Sequence, residues 1–246
     1  MIAAGSGLDA VGFVGLCHLG IFGVMIPLSA LGARRSALGK GRSKKRYFAG
    51  VIGQQLGLTV ISVAVAAWLG IPLAGGYRPT FGGVVLAGGI LAAAVIGIRP
   101  RWRQQAVSGD WRVRLIAPID GVDHALWAVI SALAGIGEEI TYRGVMYWVL
   151  FQLSGSMAGS VAIAAAAFGI SHVVQGRQAV AVVAGFATVF HGLVLVTGSL
   201  YPAMVIHVLY NLAAGISYGR DVRALERSNA FINSTNATTL ERGQAL

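Results

Sequence analysis

The residues best suited to catalysis lie in one apolar segment, residues 137–144, with the sequence GEEITYRG. Each ionisable residue at mid-membrane costs roughly 2.5–3.5 kcal/mol to insert, so three together must pair or line a polar cavity. Glu139 and Arg143 are four residues apart with the acid first, the favourable order for a helical ion pair. Glu138 is rotated ~100° away on a helix and is left without that cation. It is therefore a candidate general base or acid, although a purely structural salt-bridge cluster is also compatible with the pattern.

Two further polar motifs occur downstream. Phe168 and His172 form F-x-x-x-H, and His207 and Asn211 form H-x-x-x-N. A spacing of four places imidazole and amide on one helical face. The other apolar-segment histidines, His18 and His191, are interpreted as ordinary interior residues.

The composition predicts an integral membrane protein. Of the 246 residues, 56% are hydrophobic and only 11% are charged, whereas soluble domains average about 25% charged residues. This excludes an ordinary soluble enzyme, a disordered chain and a nucleic-acid-binding domain. We predict an all-α polytopic transmembrane bundle with about seven spans, at 11–32, 48–73, 81–98, 124–152, 157–175, 178–198 and 201–218.

The basic residues predict the orientation. Seventeen of the 19 Lys and Arg residues fall in the loops or tail on one side of these spans. By the positive-inside rule, the N-terminus is outside and the C-terminus is cytoplasmic. We expect one membrane domain over 1–219, with its catalytic core at about 124–218, and a polar cytoplasmic tail over 220–246. The Ala-, Gly- and Arg-rich composition favours a bacterial cytoplasmic membrane.

Helix counting predicts where these residues meet. Spans four and five turn near Gly155, with Glu138 17 residues before it and His172 17 after it. An antiparallel pair would place both at the same depth, about 25 Å from the outer end. The same counting from a turn near Leu200 places His207 only about 10 Å from that end. Either span seven begins below the surface or these boundaries are wrong.

The three motifs, E-E-x-x-x-R, F-x-x-x-H and H-x-x-x-N, lie in this order on separate predicted spans. Together they resemble the CPBP intramembrane proteases, which include CAAX prenyl endopeptidases, bacteriocin-processing proteins and Abi-type proteins. The resemblance covers about 130–213, and residues 1–120 carry no motif that we can place.

The resemblance implies a glutamate-dependent protease and a role for each matching residue. Glu138 would act as the general base on a water that His172 shares or orients. His207 and Asn211 would donate hydrogen bonds to the oxyanion. The supporting residues would be Glu139, Arg143 and Phe168.

Two histidines and a glutamate could also bind catalytic zinc. The sequence has no H-E-x-x-H motif and no thiolate near the motifs, so we favour metal-free hydrolysis and keep zinc as the alternative. The expected partners are the lipid bilayer and a membrane protein or peptide substrate, membrane-embedded or lipid-tethered, with no nucleic acid.

Two other functions could use a membrane bundle with these polar residues. A non-catalytic immunity or scaffold protein could use the same fold, but decayed motifs would be expected, and these are complete. A small transporter could use Glu138 and the histidines as a proton relay. Inverted repeats with broken helices in both halves would then be expected, yet the polar groups all lie in the second half.

Overall fold

The computed structural model describes residues 7–35, 43–73, 80–108 and 111–244. These residues form helices and connecting loops, without a strand among them, which confirms the all-α prediction. Two π-helical segments, Leu19–Met25 and Glu139–Met146, continue α1 and α6 respectively, and a 3₁₀ turn covers Val173–Gln175. The helices are α1 Gly7–His18, α2 Ile26–Arg35, α3 Lys44–Trp68, α4 Phe81–Val107, α5 Trp111–Ile116, α6 Gly121–Glu138, α7 Tyr147–Ser154, α8 Met157–Ser171, α9 Arg177–Thr197 and α10 Tyr201–Gln244.

Each of the seven predicted spans coincides with a helical stretch. Four stretches are long and apolar enough to cross a membrane: Leu8–Ala33, Lys44–Trp68, Phe81–Val107 and Arg177–Thr197. The third was predicted to end at residue 98, but α4 continues to Val107. Its last turns are therefore basic and lie outside the apolar run. The orientation of the termini stays a prediction.

Local signals set the helix ends. Thr80, Asp120 and Ser156 each accept a backbone N–H of the first turn, at α4, α6 and α8 respectively, which satisfies donors that have no helical partner. Gly155 and Gly198 end α7 and α9 in the left-handed conformation, with φ of 65° at both, where a Cβ would be strained. The predicted turn at Gly155 is confirmed.

The continuous stretch made by α6, the second π segment and α7 is the centre of the bundle. Every residue of Glu139–Met146 is buried. Tyr142 and Met146 pack against Phe22 and Phe168, while Ile140 and Val145 pack in a second cluster. The charged segment therefore lies inside protein and is shielded from the hydrocarbon.

The outward side chains of the other helices are apolar. Phe13, Trp68 and Phe81 are 81%, 76% and 87% exposed, respectively. A soluble protein rarely exposes so many large apolar side chains contiguously. These faces fit contact with lipid chains, since exposed apolar surface carries no penalty there.

The last helix begins inside the protein. Ser199 and Leu200, just before α10, are 4% and 6% exposed, and Leu200 packs with Val11 and Val65. The counting that placed His207 near the outer end was therefore wrong, because it started α10 at a surface. The helix then continues without a break to Gln244, through the segment predicted as a tail.

Candidate active site

The central helix widens where its charges lie. Glu138 is the last residue of α6, and Glu139 opens the π-helical segment that also holds Arg143. Such π turns occur mostly as short insertions in α-helices and often at functional sites. Both glutamates are buried, Glu138 at 7% exposure and Glu139 at 0%.

Glu139 forms the predicted ion pair and a second, unpredicted contact. Arg143 Nη1 lies 3.2 Å from Glu139 Oε1, an ion pair without an aligned hydrogen bond. The same oxygen accepts Nδ1–H of His207 at 2.7 Å. Glu139 thus links the central helix to α10 and fixes the orientation of the His207 ring.

Aromatic rings enclose the arginine. The Arg143 guanidinium carbon lies 4.5 Å from the centre of the Phe168 ring and 5.7 Å from that of Phe190. A cation above a desolvated aromatic face is stabilised by about 2 kcal/mol. Phe168 also meets the rings of His172 and His207, at centroid distances of 4.6 and 6.4 Å. It is therefore the common contact of the two histidine motifs.

Glu138 is directed away from Arg143, as its helical rotation predicts. Its Oε1 accepts the Gln55 side-chain amide at 2.8 Å. Its Oε2 faces His207 Nε2 at 3.7 Å, too long for a direct hydrogen bond. Glu138 and His207 thus face each other in a buried site.

His172 ends α8 with a defined ring orientation. Its Nδ1–H donates to the Phe168 carbonyl at 2.8 Å, which leaves Nε2 as the acceptor of a neutral ring. At the preceding residue, Ser171, the side-chain hydroxyl meets the Tyr142 hydroxyl at 3.2 Å. This contact pairs the central helix with the end of α8, close to the register that the Gly155 turn predicts.

Asn211 lies on α10, one turn beyond His207, and is half-buried. Its backbone carbonyl accepts the Trp127 indole N–H at 2.9 Å. A Cβ at Gly215 would overlap the same indole ring. The Asn211 side chain makes no hydrogen bond to another described residue, so its amide is available to a ligand.

Sequence reasoning missed three polar partners in the first half of the chain. Gln55 contacts Glu138 directly. Ser62 joins His18 to Thr141, with oxygen contacts of 3.1 Å to His18 Nε2 and 2.7 Å to Thr141 Oγ1. The available signal was polarity alone, because intramembrane polar residues usually face the bundle interior. Without a motif, this signal does not show which helix they meet.

A zinc site was the alternative interpretation. His207 Nδ1 is committed to Glu139, and Glu138 Oε1 to Gln55. Within the described ranges, no group of three His, Cys, Asp or Glu side chains is arranged to hold a metal ion. These contacts leave His207 Nε2 and Glu138 Oε2 uncommitted, so zinc stays the alternative to metal-free hydrolysis.

A comparison with known protein families finds a match for the segment that builds this site. Residues 121–213 match the family model described as type II CAAX prenyl endopeptidase Rce1-like. Over these residues the chain is similar to that family, and we call residues 121–213 the Rce1-like segment. The CPBP resemblance inferred over about 130–213 is thereby confirmed. No curated protein and no solved structure matches the chain.

The Rce1-like segment contains Glu138, His172, His207 and Asn211, whereas Gln55 and Ser62 lie outside it. The family is one of membrane proteases, and the apolar helices agree with an integral membrane protein. The site thus combines Rce1-like motifs with polar contacts from helices that precede the matched segment.

Proposed function

We propose that the protein is an intramembrane endopeptidase that hydrolyses a peptide bond of a membrane-embedded or lipid-tethered substrate. The observation that supports this best is the facing pair of Glu138 Oε2 and His207 Nε2, 3.7 Å apart. Arg143 is occupied by Glu139, so Glu138 has no guanidinium partner. A buried carboxylate that is not held in a guanidinium ion pair is suited to accept a proton from water.

The hydrolytic step begins with proton removal from water. Glu138 takes the proton while the water oxygen attacks the scissile carbonyl carbon. His172 Nε2 is a free acceptor, because Nδ1–H donates to Phe168, and it accepts a hydrogen bond from the second O–H of that water, which stays on the oxygen. Glu138 then gives its proton to the leaving nitrogen as the C–N bond breaks, which completes the hydrolysis.

The oxyanion would be stabilised from α10. Because Nδ1–H of His207 donates to Glu139, Nε2 can donate only when the ring is an imidazolium. In that state the two glutamates are balanced by Arg143 and His207, so the buried site has no net charge. Donation from an imidazolium to an oxyanion is charge-assisted, and Asn211 on the same face supplies the second donor.

No step of this mechanism uses a metal. The substrate class follows from the position of the site: a buried centre in an apolar bundle is reached most directly by a chain already held in the bilayer. The matched family's description names CAAX prenyl endopeptidases. The chemistry shared with that class is a peptide bond close to a lipid anchor.

The test compares membrane proteins of cells that carry wild type or Glu138→Gln at equal membrane abundance. Glu226→Gln, the same chemical change at an exposed position of α10, is the matched control. Terminus-resolved proteomics should find a membrane protein that is processed by wild type and Glu226→Gln but stays intact with Glu138→Gln. Identical termini in all three strains would contradict the proposal and favour the non-catalytic scaffold function.

A further inference from the structure

Gln55 is the one described side chain from outside the Rce1-like segment that hydrogen-bonds to a proposed catalytic residue. It lies on α3, and its Nε2–H donates to Glu138 Oε1 at 2.8 Å. Gln55 is 9% exposed, so the contact is largely shielded from water. An amide is costly to bury in an apolar helix unless it is paired.

The contact has one possible direction. An ionised carboxylate only accepts hydrogen bonds, so the Gln55 amide must present its NH₂ group to Glu138. The opposite side of the amide, Oε1, is buried and accepts no hydrogen bond from the other described residues. Buried carbonyl oxygens of this kind are usually satisfied by water.

We infer that Gln55 is a positioning residue that holds Glu138 Oε1 and directs its Oε2 toward His207. The inference rests on the proposed function. The hydrogen bond occupies Oε1, so only Oε2 remains to take the proton from water.

Other groups around Glu138 act on its charge and stay in place when Gln55 changes. His207 faces it from α10 at 3.7 Å. Glu139 and Arg143 follow on the same helix as a mutually paired unit. From α3, the side chain that contacts Glu138 is Gln55. A substitution at Gln55 therefore isolates the effect of this hydrogen bond.

The test uses the full-length protein in lipid vesicles, with Gln55→Met and Gln54→Met as a matched pair. Gln54 is the neighbouring residue and is exposed, so its substitution makes the same chemical change away from the site. The carboxyl band of Glu138 is recorded by infrared spectroscopy at one fixed pH and assigned by its loss in Glu138→Gln. This measurement needs no substrate.

In Gln55→Met the Glu138 carboxyl band should shift in frequency relative to wild type, because Oε1 loses its hydrogen-bond donor. On a substrate identified by the proteomic comparison, kcat should fall roughly 10- to 100-fold with little change in KM. Gln54→Met should match wild type in both measurements. A purely packing role would lower the folded fraction without moving the band.

If Gln55→Met does not accumulate, Gln55→Glu keeps the size and polarity of the side chain. A carboxylate in place of the amide removes the N–H donor, so the Glu138 band should again shift in frequency. A Glu138 band at the same frequency in wild type and a folded Gln55 variant overturns the inference. Unchanged processing by Glu138→Gln cells would instead overturn the proposed function, while a shifted band would still establish that Gln55 acts on Glu138.

Discussion

His207 donates its Nδ1–H to Glu139 at 2.7 Å, although 68 residues separate the two in the chain. This bond ties the start of α10 to the π-helical segment of the central helix. Because Glu139 also pairs with Arg143, the orientation of the proposed oxyanion donor depends on a buried ion pair. Glu139 and Arg143 thus support the site through His207 and need not touch the substrate.

Arg143→Met should destabilise the protein strongly. Glu139 is 0% exposed, and removing one partner of a buried ion pair typically costs about 3–5 kcal/mol. The thermal unfolding midpoint in detergent should therefore fall, and Glu139→Gln in the same chain should restore part of the loss by removing the stranded charge. Arg177→Met, at an exposed position, is the control. A wild-type midpoint for the single variant would contradict this account of the pair.

Asn211→Ala should lower kcat without unfolding the protein. The contact of Asn211 with Trp127 uses the backbone carbonyl, so truncating the side chain leaves that bond in place. Loss of one oxyanion donor typically costs on the order of 10²–10³ in kcat. Turnover and thermal midpoint are measured together, with His207→Ala expected to affect both. An Asn211→Ala enzyme with full turnover would show that its amide does not contact the oxyanion.

Ser62→Ala should have the opposite signature, a loss of stability with normal turnover. Ser62 is the hydrogen-bond partner of His18 Nε2, and His18 Nδ1 already has none within the described structure. Leaving a buried polar group unsatisfied costs about 1–3 kcal/mol. Ser29→Ala, at an exposed site, should leave the midpoint unchanged. A reduced kcat at equal folded amount would assign the His18–Ser62–Thr141 chain a part in catalysis.

The helical pairs of the site could be predicted because they are local. Glu139 and Arg143 lie one turn apart, and the Gly155 turn fixes how the central helix meets α8. The position of α10 could not be predicted by counting residues. Leu200, the residue before its start, is buried in tertiary packing. A counting argument assumes instead that loops lie at the membrane surface.

Gln55 shows a second limit of prediction from the sequence. Gln54 and Gln55 are identical neighbours, and only the rotation of α3 decides that Gln55 is buried and Gln54 exposed. The apolar residues of α3 surround the helix almost uniformly, because lipid accepts apolar side chains as readily as the bundle interior does. Hydrophobic periodicity therefore carries little information about which face is inside, and the contact with Glu138 appears only in the assembled structure.

Close packing at Gly137 should set the distance between Gln55 and Glu138. A Cβ at Gly137 would overlap Thr59 Oγ1 and approach Leu58, so Gly137→Ala must push α3 away from α6. Overpacking of this kind typically costs about 1–3 kcal/mol, and the widened gap should also weaken the Gln55 bond and lower turnover. Thr59→Ala in the same chain removes the overlapping oxygen and should restore part of both losses.

Gly57→Ala is the matched control for the Gly137 variant, because a Cβ there meets nothing within 4 Å. Thermal midpoint and turnover of Gly137→Ala, of Gly137→Ala with Thr59→Ala, and of Gly57→Ala are compared at equal membrane abundance. Gly219→Ala gives a useful contrast, since its Cβ would overlap the backbone carbonyl of Pro118, which no side-chain change can relieve. Equal midpoints for Gly137→Ala and Gly57→Ala would show that α3 and α6 are not in close contact at Gly137.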